Sequence, residues 1–301
     1  MPVVVAVVGP TASGKSDLAV ELARAIGGEV VNADSMQLYR GMDIGTAKLT
    51  PDQRRGVPHH GLDVWDVTRA ASVADYQRLA RAAVDDVLAR GATPLLVGGS
   101  GLYVRAVIDR LEFPGTDPVL RRRLEAELAE GGPSPLHARL RAADPAAAAA
   151  ISATNGRRIV RALEVGALTG APYLSAMPLR EPYYDAVQLG LDPRRPELYT
   201  AIEARVARMF DAGLVAEVHA LERLGLREGP TARRALGYAQ VLQLVDGELT
   251  EAQARARTAQ VTRRFARRQR SWFAADPRVH WLPEPDPSAA LHALRAGAPA
   301  G

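Results

Sequence analysis

The stretch Gly9-Pro10-Thr11-Ala12-Ser13-Gly14-Lys15-Ser16 fits G-x-x-x-x-G-K-[ST] at every fixed position, and it narrows the possible folds more than any other feature of the chain. It follows the apolar run Val3-Val4-Val5-Ala6-Val7-Val8 and opens a helical pattern, Leu18, Leu22 and Ile26, that stops at Gly27-Gly28. In a strand, loop and helix of this kind, successive backbone N–H groups curl around an anion at a helix start, where the free amides and the helix dipole add to the attraction. Lys15 supplies a full charge to that anion, and the Ser16 hydroxyl a ligand for Mg²⁺. A glycine-rich turn without a ligand is the alternative, and the flanking strand and helix weigh against it. The motif leaves open whether the phosphate is cut, transferred or released.

With 301 residues, 47% hydrophobic and 24% charged, the chain has the composition of a globular protein with a sizeable core. It has no apolar run near the ~20 residues of a membrane span and no signal-peptide pattern, so a cytoplasmic protein without membrane contact is expected. The absence of cysteine excludes disulfides, thiolate metal sites and cysteine nucleophiles. Of the 38 Lys and Arg residues only Lys15 and Lys48 are lysine. In so arginine-rich a chain, a retained lysine points to a need for a compact ammonium, although chance survival is the alternative for Lys48.

After the first helix, Glu29-Val30-Val31-Asn32-Ala33-Asp34-Ser35 reads as a strand ending in a carboxylate and a hydroxyl. Strand, helix and strand predict a βαβ unit and a parallel sheet. Ligands of such sheets bind at the carboxyl ends of the strands, which brings Asp34 toward Lys15; a local capping role is the other use of Asp34. Residues 36–48, with Gln37, Tyr39 and two glycines, read as a binding loop rather than a core element. His59 and His60 lack a third ligand nearby and make a poor zinc site; a strand is expected just after them, at Leu62-Asp63-Val64-Trp65. Ser72 opens an amphipathic helix with Tyr76, Leu79, Ala80, Ala83, Val84, Val87 and Leu88 inward. The apolar strand that follows ends in Gly98-Gly99-Ser100, where an ordinary P-loop ATPase places a magnesium-binding Asp. That substitution weakens a hydrolytic reading.

From residue 113 to 184 strands disappear, and short Ala-, Arg- and Glu-rich helices are separated by Pro and Gly. The expected fold is therefore α/β: a P-loop NTPase-like parallel sheet flanked by helices, built from residues 1–112 and 185–301, with residues 113–184 an inserted all-helical subdomain. Within the insertion Arg157 and Arg161 share a helix face, for which a merely solvated basic surface is the alternative. A strand returns at residues 186–191. It leads into a helix from about residue 196 to 224, bent at Gly213, with Arg205 and Arg208 off its apolar side. A last long helix places Val261, Phe265 and Trp272 on its apolar side. Arg263, Arg264, Arg267, Arg268 and Arg270 lie opposite with no acid among them, a footprint suited to a nucleic-acid backbone. A strand at residues 279–282 closes the fold, and the tail beyond it is expected to fray.

Together these motifs resemble the bacterial tRNA dimethylallyltransferases, or tRNA isopentenyltransferases. The resemblance runs through GPTASGKS (9–16), ADSMQLYRGMDIGTAK (33–48), PHH (58–60), LLVGGSGLY (95–103), RRIVRALEV (157–165), IEARVARM around Arg205, ARRALGYAQ (232–240) and RRFARRQRSWF (263–273). In this order the set is specific, although only the first motif is strong alone.

The resemblance implies transfer of a dimethylallyl group from dimethylallyl diphosphate to N6 of adenosine 37 in tRNAs that read codons beginning with U. It implies Asp34 as the general base. It also implies Ser100, at a position usually Thr, beside the bridging oxygen of the diphosphate, and Arg205 on the diphosphate with Lys15 and the loop. Mg²⁺ is the implied cofactor, with Ser16 as a ligand. The implied tRNA contacts are Asp34, Ser35, Met36, Gln37, Ser100, Arg121, Arg157, Arg158, Ile159, Val160 and Arg161. Thr154 departs from the family's common Asn, which touches an RNA contact and not the chemistry. The implied partners of a monomeric enzyme are the tRNA anticodon stem-loop and dimethylallyl diphosphate. A P-loop nucleotide kinase or NTPase, a transferase acting on free adenylate, and a non-catalytic RNA-binding protein are the competing readings. ATP turnover without RNA modification marks the first. Binding indifferent to salt marks the second, and a cellular RNA role untouched by Asp34→Asn marks the third.

Overall fold

Val4–Val8 (β1) is buried along its whole length, as a parallel strand covered on both faces must be. Its neighbours are Thr93–Gly98 (β4) and Ala186–Leu191 (β5). Gly28–Asn32 (β2), His59–His60 (β3) and Val279–Leu282 (β6) complete a six-stranded parallel sheet of order β3-β2-β4-β1-β5-β6. The computed structural model describes residues 4–173 and 180–297.

Side chains of β1 alternate between two apolar layers, as a period of two dictates. Val4, Ala6 and Val8 face the layer built from Val73–Ala89 (α2), Gly101–Ile108 (α3) and later helices, with Tyr76, Val104 and Tyr238 at its centre. Val5 and Val7 face Leu18 and Leu22 of Lys15–Ile26 (α1). The sheet and these layers form one compact unit, Met1–Ile108 with Pro182–Gly301; Asp109–Glu181 form a second.

Among the described residues, the regular elements of the second unit are the helices Pro118–Gly131 (α4), Pro133–Ala143 (α5), Pro145–Ala150 (α6) and Gly156–Thr169 (α7). Each of α4, α5 and α6 starts on a proline, which suits a first turn whose N–H has no partner in any case. Asp117, Asp144 and Asn155 cap α4, α6 and α7 with their side chains. Leu124, Leu136, Leu140 and Ile159 fill its core. Residues 174–179 of the expected insertion lie outside the described residues.

Several expectations change. The strand expected at residues 62–65 is instead the short β3, followed by a single bridge between Tyr39 and Trp65. Gly61 and Asp63 at φ +75 and +55 break the extension between them. The long helix expected from residue 196 is two, Arg195–Asp211 (α8) and Leu214–Glu222 (α9), because Gly213 at φ +100 ends one and caps the other. After Tyr238–Val245 (α10) and Glu251–Ala274 (α11), the tail expected to fray forms Pro287–Gly297 (α12), whose Ala289, Ala290, Leu291 and Leu294 join the α1 layer. Residues 298–301 of that tail lie outside the described residues.

The face of α11 also differs. Its buried side is Ala254, Thr258, Ala259, Thr262, Ala266, Gln269 and Phe273, whereas Trp272 is 37% exposed. Ala266 packs on Leu198 and Ile202 of α8, and small side chains permit that close approach, which leaves the bulky ones at the margin. Two of the five arginines are compensated by acids: Arg263 pairs with Glu203 at 2.7 Å and Arg270 with Asp192 at 2.5 Å, while Arg267 donates to the Tyr199 hydroxyl. These partners belong to α8 and the segment before it, so a scan along α11 alone finds no acid.

Candidate active site

The phosphate loop leaves β1 at Gly9, where φ is +136 and a Cβ would lie 2.7 Å from the Leu191 carbonyl oxygen. Ala12 also has a positive φ, +63, in a region where non-glycine residues are strained. Gly14 is the N-cap of α1 and has no side chain to offer, so the first-turn amides keep no side-chain cap and remain available to an anion. Lys15 curls back and donates from Nζ to the Pro10 carbonyl at 2.6 Å. Burial, followed by the nearby Arg205 charge, lowers the Lys15 pKa to about 7 against a smaller opposing pull from Asp34. Ser13 Oγ is buried in the same loop without a hydrogen-bond partner.

At the carboxyl end of β2, Asn32 builds the turn that presents Asp34. Its Oδ1 accepts the Asp34 N–H at 2.8 Å, and its Nδ2 donates to the carbonyls of Asp34 and Gly61, each at 3.0 Å. The Asp34 carboxylate accepts the Met36 N–H at 2.9 Å. Ser100 Oγ accepts the Ser35 N–H at 3.4 Å, joining this turn to the end of β4. There, a Cβ at Gly98 would lie 2.2 Å from the Ala33 carbonyl oxygen, so the strand has no room for a side chain at that point.

The opposite wall is Arg205 of α8, whose Nη2 donates to the Thr46 carbonyl at 3.0 Å. Gln37 donates to the same carbonyl at 3.2 Å. Burial works to lower the Arg205 pKa and the Asp34 charge opposes it. Lys48 holds the loop from beneath, reaching the Tyr39 carbonyl, Asp43 and Asp63. Residues 36–48 are thus irregular but anchored, with Leu38, Tyr39 and Met42 fully buried.

Of the residues singled out from the sequence, Thr11, Lys15, Ser16, Asp34, Gln37 and Arg205 line one pocket, with Gly98 and Gly99 beside them. Ser100 reaches the Asp34 turn through Ser35. In the helical unit Arg157 and Arg158 are exposed, whereas the side chains of Ile159 and Val160 lie in its core. Arg121 and Arg161 both bind the buried Glu164, and Arg161 also donates to the carbonyls of Pro114 and Gly115. Burial works to raise the Glu164 pKa, and the two guanidiniums overcome it and hold it low.

The sequence reading missed Gln269 and Asn32. Gln269 lines the pocket and ties Thr11 N–H to the Gly99 carbonyl, at 2.9 Å each. Its one sequence signal is that it interrupts a run of arginines. His59, also on the pocket wall, donates from Nδ1 to the Val57 carbonyl at 2.9 Å, and no cluster of three metal-ligating side chains exists among the described residues.

The model of the IPP transferase family matches residues 37–276. The chain belongs to this family. Curated tRNA dimethylallyltransferases agree: that of Salinispora arenicola is 66% identical over 97% of this chain and 86% of its own length. That of Streptomyces avermitilis is 67% identical over 93% of this chain and 90% of its own. Among solved structures, the tRNA isopentenylpyrophosphate transferase of Bacillus halodurans is 39% identical with a TM-score of 0.72, covering 99% of this chain and 98% of that one. A eukaryotic dimethylallyltransferase, 24% identical, shares the fold at a TM-score of 0.82 over 99% of this chain and 77% of its own. The α/β core with its parallel sheet is thus the fold of the IPP transferases, and no helix among the described residues is long and apolar enough to cross a membrane.

Proposed function

We propose that this chain transfers the dimethylallyl group of dimethylallyl diphosphate to N6 of adenosine 37 in tRNAs that read codons beginning with U, releasing diphosphate. The observation that carries this reading is the convergence of Asp34, Lys15 and Arg205 on one pocket whose β4 wall ends in glycine and carries no carboxylate. An allylic diphosphate leaves when the charge building on its oxygens meets preorganised donors. The loop amides, Lys15, Arg205 and the Ser100 hydroxyl are such donors. Asp34, held by Asn32 and Met36, is the base that takes the N6 proton as the carbon–nitrogen bond forms. A magnesium ion would rest on the Ser16 hydroxyl and on the oxygens of the substrate, a donor set that suits this hard cation and its reluctance to shed water. When bound it would offset the charge of the departing diphosphate.

The target base cannot react inside a stack, so the adenosine is expected to be drawn out of the anticodon loop toward Asp34. Arg157 and Arg158 on the helical unit, and Arg264 and Arg268 on α11, are exposed cations suited to phosphates. A tRNA substrate also agrees with a cytoplasmic location. Incubation with dimethylallyl diphosphate, Mg²⁺ and an anticodon stem-loop bearing adenosines 36 and 37 tests the reading. Mass spectrometry should find one added isopentenyl unit on adenosine 37; an unmodified RNA, or turnover of ATP instead, refutes it.

A further inference from the structure

Glu217 on α9 lies outside the pocket lining and is the meeting point of four hydrogen bonds. Its Oε2 accepts the N–H groups of Asp43 and Ile44 at 3.2 and 2.7 Å; its Oε1 accepts that of Gly45 at 3.2 Å and the Tyr238 hydroxyl at 2.6 Å. Three consecutive backbone amides converging on one anion form a nest, here filled by the protein's own carboxylate. The turn is closed from the other side by Tyr238: a Cβ at Gly45 would lie 2.5 Å from its ring. Thr46, the next residue, donates its hydroxyl to the Met42 carbonyl at 2.6 Å, and its own carbonyl receives Arg205 and Gln37.

We propose that Glu217 is a positioning residue for the diphosphate site, acting through the turn at residues 43–46 to fix the aim of Arg205. A guanidinium is a planar fork, so holding one nitrogen on the Thr46 carbonyl sets the plane in which the others meet an anion. Without the carboxylate, three amides of the turn lose their common acceptor, and the carbonyl that orients Arg205 is held less firmly, by the remaining contacts of Gln37 and of the Thr46 hydroxyl. α9 follows α8 directly, so the same helical pair supplies both the cation and the clamp on the loop that orients it. The proposal rests on the reading of Arg205 as a diphosphate ligand.

A double-mutant cycle tests it, with Glu217→Gln, Arg205→Lys and the pair assayed on dimethylallyl diphosphate and an anticodon stem-loop. Glutamine keeps the shape but turns one acceptor into a donor that faces the turn amides. Glu217→Gln should raise KM for dimethylallyl diphosphate about tenfold while KM for the RNA stays within about twofold. The pair should be no worse than Arg205→Lys alone, because the turn has nothing left to aim. Multiplying effects in the pair, or equal rises for both substrates, overturn the proposal. If Arg205→Lys itself leaves KM for dimethylallyl diphosphate unchanged, the reading of Arg205 falls first, and the clamp loses its purpose with it. Should Glu217→Gln fail to give a folded circular dichroism spectrum, Tyr238→Phe takes its place in the cycle under the same criteria, since it removes a single donor from the carboxylate.

Discussion

Gln269 and Thr11 stand 258 positions apart in the chain and are joined by a 2.9 Å hydrogen bond from the Thr11 N–H to the Gln269 side chain. The other end of the same amide donates to the Gly99 carbonyl. One side chain of α11 thus ties the phosphate loop to the end of β4, and a Cβ at Gly99 would lie 2.1 Å from it.

Gln269→Ala is therefore expected to raise KM for dimethylallyl diphosphate and to cost about 1–3 kcal/mol of stability, because a buried acceptor and a loop donor lose their partner. Gln269→Glu should be worse for KM than alanine. It keeps an acceptor for Thr11, loses the donor to Gly99, and sets a negative charge beside the anion site. Steady-state kinetics with urea melts check this; a Gln269→Glu enzyme with unchanged KM for the diphosphate substrate refutes it.

Asp34→Asn tests the base without dismantling its turn. An asparagine oxygen can still accept the Met36 N–H, and the Asn32 contacts involve the Asp34 backbone alone. The expected result is a drop in kcat of about 10²–10⁴-fold, with diphosphate binding no weaker because a negative charge has left the pocket. Single-turnover rates and a diphosphate titration separate the two effects.

Much of this arrangement is legible in the sequence because it is local. The glycine loop, the cap of α2 and the strand end at Gly98 are each written within a few residues. The contacts that escape the sequence are those between distant segments. Glu203 and Asp192, which neutralise Arg263 and Arg270, lie on other elements, and so does Gln269 with respect to the loop it braces. Helical periodicity misleads for the same reason on α11, where a close helix contact selects Ala266 and Thr262 over Phe265 and Trp272 for the inside. The burial of the Ile159 and Val160 side chains in the helical unit is likewise not visible in a motif read whole.

Lys15 makes diphosphate binding sensitive to pH. In the empty pocket its ammonium loses its proton near pH 7, because burial and Arg205 disfavour the charge. A bound diphosphate favours the charged form and raises that pKa, so binding takes up a proton above pH 7. Affinity is therefore full below the empty-site value and falls as pH rises through and beyond it, by at most about tenfold per pH unit. Calorimetric titration of diphosphate from about pH 6 to about pH 9 should show this slope. Lys15→Met should bind more weakly and lose that part of the slope that exceeds the titration of diphosphate itself; a variant with the wild-type slope would remove Lys15 as the cause.

Lys48 answers the question raised by a chain that keeps only two lysines. Its side chain is 4% exposed, and Nζ meets the Tyr39 carbonyl at 3.1 Å, Asp43 at 2.6 Å and Asp63 at 2.5 Å. Three acceptors around one nitrogen match the three donors of an ammonium. A guanidinium is larger and planar, and cannot converge on the three from one point. Lys48→Arg keeps the charge yet should cost about 1–3 kcal/mol through overpacking. Lys48→Met removes the charge and leaves the Tyr39 carbonyl without this donor, at a similar cost of about 1–3 kcal/mol. The prediction is that arginine is no better than methionine in urea denaturation, although Asp43 and Asp63 are 57% and 41% exposed and each would gain from a cation nearby. An arginine variant within about 0.5 kcal/mol of the parent would make Lys48 a chance survivor of the arginine bias, and leave Lys15 as the single lysine whose chemistry the fold demands.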